Sequence, residues 1–339
     1  MVTMREVAKE AGVSLGTVSN VLNNVSTVNE ENREKVLAAV KKLKYRPNTA
    51  ARILKTNISH SIGLVIPDIT NPYYPELARG VEDAARKYGY TIFLCNNDRD
   101  GEKEREYIEV LLEKNVDGII LVKPKVSPEE IEELQERCNV VLVDADDITD
   151  YKCELVNVDD YGGAISAMNL LYEYGHKRIA FISGLLESRS SICRQTAYLE
   201  FLKEKGLEVD NSLIKKGQYD WYSGYQCTVE LLKNLEPPTA IFAANDLMAI
   251  GAIKAARERR LNIPFDISVI GYDDIDIAPL CTPQLTTIRQ PKYETGTVSV
   301  ESLMGSMRLS AEERQKCRKV ITLETKIILR ESVGYVRGV

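Results

Sequence analysis

The side chains able to do chemistry gather at the ends of short apolar runs. Asn71-Pro72-Tyr73-Tyr74 follows Ile62–Ile66, Asp144 follows Val140–Val143, Asn245 follows Thr239–Ala244 and Asp273 follows Ile267–Tyr272. Arg194 stands near the start of a predicted helix over 190–205, Tyr219 adds an aromatic ring, and Gln290 adds an amide. Carboxylates and guanidinium groups hold pairs of hydroxyls bidentately, and aromatic faces cover the C–H surfaces of a sugar. That combination suits recognition of a polyol, although each residue singly also suits surface or lobe packing. The parts for turnover are missing. There is no G-x-G-x-x-G, G-x-x-x-x-G-K-[ST], G-x-S-x-G or H-E-x-x-H, and the two histidines are His60, in a linker, and His176, ahead of a strand. No catalytic residue, cofactor or metal site is expected, though acid–base chemistry by Asp and Glu alone stays open.

The elements that must position these residues are legible from period. After Ser61, apolar strands near 62–66, 90–95, 116–122, 140–143, 178–183, 239–244 and 267–272 alternate with helical segments. Continuous apolar strands between helices predict parallel sheets covered on both faces, and two such runs in succession predict two similar lobes. In open sheets of this kind ligands sit at the carboxyl ends of the strands, where the candidate residues fall. The length of 339 residues suits two or three domains at about 100–200 residues each. Seven scattered cysteines with no C-x-x-C pair argue against a disulfide framework and suit a reducing cytoplasm. No apolar run reaches the ~18–20 residues of a membrane span, and the N-terminus has no apolar signal segment.

The first 45 residues read differently, as three helices. Thr3 and Glu6 form a capping box, Gly12 ends the first helix, Ser14 caps a second, and a third follows Asn29. Two short helices joined by a glycine turn, with a third packed behind, make a helix-turn-helix module. The outer face of the second helix carries Leu15, Gly16, Thr17 and Asn20, small or polar enough to enter a major groove. Asn20 can pair with adenine and Leu15 can touch a thymine methyl, while the hydroxyls of Ser14, Thr17 and Ser19 can meet phosphates. Helical pattern alone equally allows an ordinary small domain with a solvated basic face. The charge is unevenly distributed. The whole chain carries −6, but residues 1–60 hold ten Lys/Arg against five Glu, leaving −11 on the remainder. A basic head on an acidic body suits an electrostatic docking surface joined to a solvated sensor.

The wording of the segments Thr3–Asn23, Tyr45–Leu54, Gly175–Ile182, Ala244–Asp246, Gly271–Asp274, Leu285–Pro291 and Arg330–Ser332 resembles the LacI/GalR family of bacterial transcription repressors, over essentially the whole chain. The resemblance implies a small all-α head and a two-lobed, periplasmic-binding-protein-like α/β body. Its boundaries are 1–46 for the head, 47–60 for a hinge and 61–332 for the body. Within the body, 61–160 with 291–320 form one lobe, and 161–290 with 321–332 the other. It implies a cytoplasmic homodimer that binds near-palindromic double-stranded operator DNA and answers a small effector. Ala51, Leu54 and Lys55 match a hinge helix that forms on the operator, with Leu54 as a minor-groove wedge. Asn71, Tyr73, Tyr74, Asp144, Arg194, Tyr219, Asn245, Asp273 and Gln290 match ligand positions. Ala145 stands where sugar-binding relatives often have Arg, and Ala197 where the family usually has Gly. The effector expected is a sugar. The alternatives are control by a protein partner, as in catabolite regulators, or a purine ligand.

Overall fold

The computed structural model describes residues 2–22, 28–45, 58–146, 153–185, 188–309, 313 and 319–336. The hinge positions Ala51, Leu54 and Lys55 lie outside them. The chain divides into two compact units, residues 1–59 and 60–339.

The first unit holds α1 (Met4–Ala11), α2 (Leu15–Leu22) and α3 (Glu30–Lys42). Each start has the cap its residues dictate. The Thr3 amide donates to Glu6 Oε2 while the Glu6 amide donates to Thr3 Oγ1, and Gly12 closes α1 at φ 65°. The Thr17 amide donates to Ser14 Oγ, and the Asn32 amide to Asn29 Oδ1. Val7, Ala11, Val18, Val21, Val36 and Ala39 form a core of their own.

In the second unit β1 (Ser61–Ile66) leads into α4 (Tyr73–Lys87), β2 (Thr91–Asn96), α5 (Gly101–Glu113), β3 (Gly118–Val122), α6 (Pro128–Arg137), β4 (Asn139–Val143) and β5 (Glu154–Val158). The chain then builds α7 (Asp160–Glu173), β6 (Ile179–Ser183), α8 (Arg189–Glu204), β7 (Ile214–Lys216), α9 (Trp221–Leu231), β8 (Ala240–Ala243), α10 (Asp246–Glu258), β9 (Ser268–Asp273) and β10 (Thr286–Arg289). It ends in α11 (Lys292–Ser306), β11 (Val320–Leu323) and β12 (Lys326–Ile328). The strands form two six-stranded sheets, ordered β11-β5-β4-β3-β1-β2 and β12-β10-β9-β8-β6-β7. All pairs are parallel except β10 with β12.

The apolar-run criterion passes over β5, β7, β10, β11 and β12. The reason differs by strand. Thr286 and Thr287 of β10 are fully buried but polar, their hydroxyls satisfied by the Arg330 amide and Asp246. β11 and β12 are edge strands with exposed positions. Because β11 pairs with β5, the first sheet takes residues up to Leu323 and the chain returns to the second only at Lys326. The expected lobe edge at 320 falls at the start of that strand.

Candidate functional site

The carboxyl ends of both sheets face a cleft of about 430 Å³ between the lobes. Eight of the nine expected ligand residues line it: Asn71, Tyr73, Tyr74 and Asp144 from the first lobe, and Arg194, Tyr219, Asp273 and Gln290 from the second lobe and the crossing segment. Tyr73 and Tyr74 open α4, their rings edge to face at 5.1 Å. Asn71 sets that turn by accepting the Tyr73 amide on Oδ1.

Asn245 stands apart. Its Oδ1 caps α10 by accepting the Met248 amide, and its Nδ2 donates to the carbonyl of Tyr219. Its place is behind the cleft, where it fixes the backbone that presents the Tyr219 ring.

Three charged groups absent from the sequence reading join the site. Lys123 follows β3 and pairs with Asp144 at 3.0 Å. Asp160 opens α7, 1% exposed, and accepts from Arg194 Nε at 3.0 Å and Nη2 at 2.7 Å. Arg189 opens α8 and lies 3.2 Å from Asp160 and 3.5 Å from Asp144. The strand-end rule that found Asp144 and Asp273 also marks Lys123, which follows Val116–Val122, whereas Asp160 lies just beyond β5, a strand that the apolar-run criterion passes over. With Ala145 beside it, Asp144 takes its cationic partners from elsewhere in the chain, Lys123 and Arg189.

Arg194 is 3% exposed. Besides Asp160 it donates to the carbonyl of Ala244, and its guanidinium lies 3.6 Å over the Tyr272 ring. Gln290 donates to Asp273 Oδ1 at 2.6 Å. Lys292, buried at the start of α11, donates to the carbonyls of Asp273 and Asp274 and pairs with Glu76 of α4, so it ties the two lobes together. Lys123, Asp144, Tyr219 and Asp273 all take positive φ, between 53° and 116°. Such backbone persists only where its surroundings over-determine it, and it gathers at binding sites.

Charge in the cleft follows from burial set against neighbours. Burial opposes ionisation of Asp144, but Lys123 and Arg189 outweigh it and hold its carboxyl below the ordinary range. Burial outweighs Arg194 at Asp160 and raises its carboxyl. At Asp273 burial wins again, against Arg194 and Lys292, and lifts the carboxyl to about 6. A carboxyl raised in the fold contributes stability that is fully present in acid and is lost as pH rises through its folded value. Asp273→Asn is therefore expected to melt higher than the parent at pH 8, by roughly 2–6 °C. The difference should vanish between pH 6 and pH 4. Melting curves of both proteins across that range check it, and a pH-independent difference would exclude Asp273 as the titrating group.

Two further polar residues find structural places. His176, buried and held neutral by burial, contacts Thr239, Ser268 and the carbonyl of Gly334, joining strand ends of the second sheet to the C-terminal segment. On the outer face of α2, Leu15, Gly16 and Asn20 are exposed and Thr17 is partly so, while Val18 and Val21 are buried. The Ser14 hydroxyl, expected near phosphate, is held by the Thr17 amide and hydroxyl, and Ser19 is partly buried on the same helix.

Residues 3–48 match the family model for bacterial regulatory proteins, lacI family, and residues 168–333 match that for a periplasmic binding protein-like domain. Catabolite control protein A of Priestia megaterium is 38% identical over 332 residues, spanning 98% of this chain and 99% of the relative. The lac repressor dimer solved with operator and the anti-inducer ONPF is similar at a TM-score of 0.88 and 28% identity, with 98% of this chain and 99% of that chain covered. A LacI family transcriptional regulator from Enterococcus faecium, solved with bound ribose, is similar at a TM-score of 0.73 and 30% identity, covering 82% of this chain and all of that one.

Proposed function

The chain belongs to the LacI family of bacterial regulatory proteins, and from that premise we propose that it binds a near-palindromic operator as a homodimer, controlled by a small polyol held between its lobes. Membership makes it a DNA-binding transcriptional regulator, not an enzyme. The effector reading rests on one observation. Asp144 Oδ1 is buried in the cleft, where Arg189 Nη1 stands 3.5 Å away without a well-formed hydrogen bond. A buried acceptor served only by so long an ion pair gains from a closer donor, and a ligand hydroxyl supplies one. The rings of Tyr73, Tyr74 and Tyr219 beside it suit the C–H faces of a sugar. The ribose-bound relative from Enterococcus faecium supports the same class.

For DNA, Leu15, Gly16, Thr17 and Asn20 read bases in the major groove, Ser14 and Ser19 lie toward phosphates, and Ala51, Leu54 and Lys55 enter the minor groove. Two identical heads require a two-fold site. The operator-bound lac repressor dimer supports this arrangement. A second copy also suits the edge of the first sheet, where Phe93 and Leu94 of β2 are 42% and 44% exposed. The ligand acts as far as it binds one of two lobe arrangements better than the other. Control through a protein partner is a second reading, favoured by the 38% identity to a catabolite control protein.

A duplex selected from a random pool by the full chain should be two-fold symmetric. Its complex, followed by fluorescence anisotropy, should respond to at least one of D-ribose, D-glucose, cellobiose or hypoxanthine. A response to hypoxanthine alone would replace the sugar reading with a purine one, and silence to all four would favour the protein partner. Leu54→Ala should weaken binding to the selected duplex at least tenfold while binding to unrelated duplex stays within about twofold. Equal losses would remove the wedge role.

A further inference from the structure

Beside the polyol cleft lies a second compartment of about 640 Å³, which shares Tyr74, Lys123, Asp144 and Tyr219 with it. The two differ in charge. The polyol cleft has Asp144, Asp160 and Asp273 against Lys123 and Arg194. Among the described residues, the outer compartment gathers Arg99, Lys123, Lys125 and Arg189 beside Asp144 and Asp146.

The cations are held in place by a built support. Arg99 lies on the loop after β2 and Lys125 on the loop after β3, and one buried carboxylate pins both loops. Glu104, 1% exposed, accepts from Asn97 Nδ2 on the first loop and from the amides of Lys125 and Val126 on the second. Arg99 itself takes φ 63°. Its guanidinium uses only Nη2, on Asp68 at 2.8 Å. Arg189, from the other lobe, uses only Nη1, toward Val158, Asp160 and Asp144. The remaining guanidinium N–H groups of both make no hydrogen bond among the described residues. Arg189 is also the first residue of α8, a helix of 16 residues whose positive end lies at this compartment.

We propose that the outer compartment binds an oxyanion, so that the effector is a phosphorylated sugar with its hydroxyls in the polyol cleft and its phosphoryl group among Arg99, Lys125 and Arg189. The inference rests on the polyol reading of the inner cleft. A phosphate monoester carries about −1.5 to −2 at neutral pH, a charge that guanidinium and ammonium groups attract. Guanidinium forks suit its oxygens. Because Arg99 and Lys125 belong to the first lobe and Arg189 to the second, the phosphoryl group is contacted from both sides only when the lobes are together. It therefore supplies the differential affinity that any switch requires.

Titration calorimetry on the full chain compares D-glucose with D-glucose 6-phosphate, D-ribose with D-ribose 5-phosphate, and inorganic phosphate alone. At least one phosphorylated sugar should bind tenfold or more tighter than its parent. Arg99→Ala and Lys125→Ala should each erase most of that preference while leaving affinity for the parent sugar within about twofold. Equal affinity within every pair overturns the inference and leaves the polyol reading standing. A preference that survives both substitutions also overturns it, since the phosphate is then read elsewhere. Binding by neither member of any pair overturns both readings. Unchanged melting temperatures of the two variants exclude loss of fold as the cause of a lost preference.

Discussion

Arg194→Ala abolishes the response of the operator complex to its effector and lowers the melting temperature by about 10 °C: both losses are expected from one side chain, by separate routes. The ligand route follows from its place in the cleft beside Asp273 and Tyr219. The stability route follows from Asp160. With the guanidinium gone, a fully buried carboxylate keeps only Arg189 on its other oxygen. Removing one partner of a buried ion pair costs about 3–5 kcal/mol, worth about 2–4 °C per kcal/mol in a lobe of this size. The carbonyl of Ala244 and the Tyr272 face lose their partner as well.

The two routes separate experimentally. Asp160→Asn in the Arg194→Ala background removes the stranded charge, so much of the stability should return while the effector response stays lost. Thermal melts paired with effector titrations of the operator complex read both. A normal effector response in the stable double variant would remove Arg194 from ligand binding. The sequence alone casts Arg194 as a ligand residue or as one that packs at the surface or between lobes, with no partner named. Its structural part is invisible there because Asp160, 34 positions away, becomes its partner only through the packing of α7 against α8.

Gly80→Ala is expected to destabilise the first lobe by about 2–3 kcal/mol, the upper part of the range for overpacking. Helices α4 and α11 cross in backbone contact. A Cβ on Gly80 would lie 2.1 Å from the carbonyl oxygen of Tyr293, and one on Gly296 would lie 2.2 Å from that of Leu77. Backbone cannot give way as a flexible side chain does, so the helices must part. The site feels this, since α4 begins with Tyr73 and Tyr74 and α11 with Lys292, the bridge to the second lobe. Effector affinity should fall with stability.

Gly305→Ala is the matched control. It lies on the same α11, where a new Cβ meets nothing within 4 Å, and alanine should be neutral or stabilising by up to about 1 kcal/mol. Chemical denaturation of both variants checks the contrast. Similar effects of the two substitutions would show that the close crossing does not govern the stability of this lobe.

Much of the molecule is written locally. Thr3 with Glu6, Ser14 and Asn29 start the head helices as their hydrogen-bonding chemistry requires, and Gly12 ends one. Apolar runs such as Ile62–Ile66 and Val140–Val143 become central parallel strands because only a doubly covered sheet buries every side chain of such a run. The same rule puts Asp144 and Asp273 at strand ends, hence at a cleft. These features depend on residues within a few positions of one another, and the sequence by itself determines them.

Other features were decided only by tertiary structure. Lys123 meets Ser190 across the cleft, 67 positions away, and Lys292 meets the carbonyls of Asp273 and Asp274 from a helix of the other lobe. Asn245 has the residue type and strand-end position of a ligand contact, yet the start of α10 draws its carbonyl into a cap and Tyr219 takes its amide. The first sheet is completed by a strand from near the C-terminus, with no stronger apolar signal than a loop. In each case the deciding partner is distant in the chain, and a buried polar group takes whichever partner the packing brings within reach. Residue type states what a side chain can do, and the fold decides what is left for it to do.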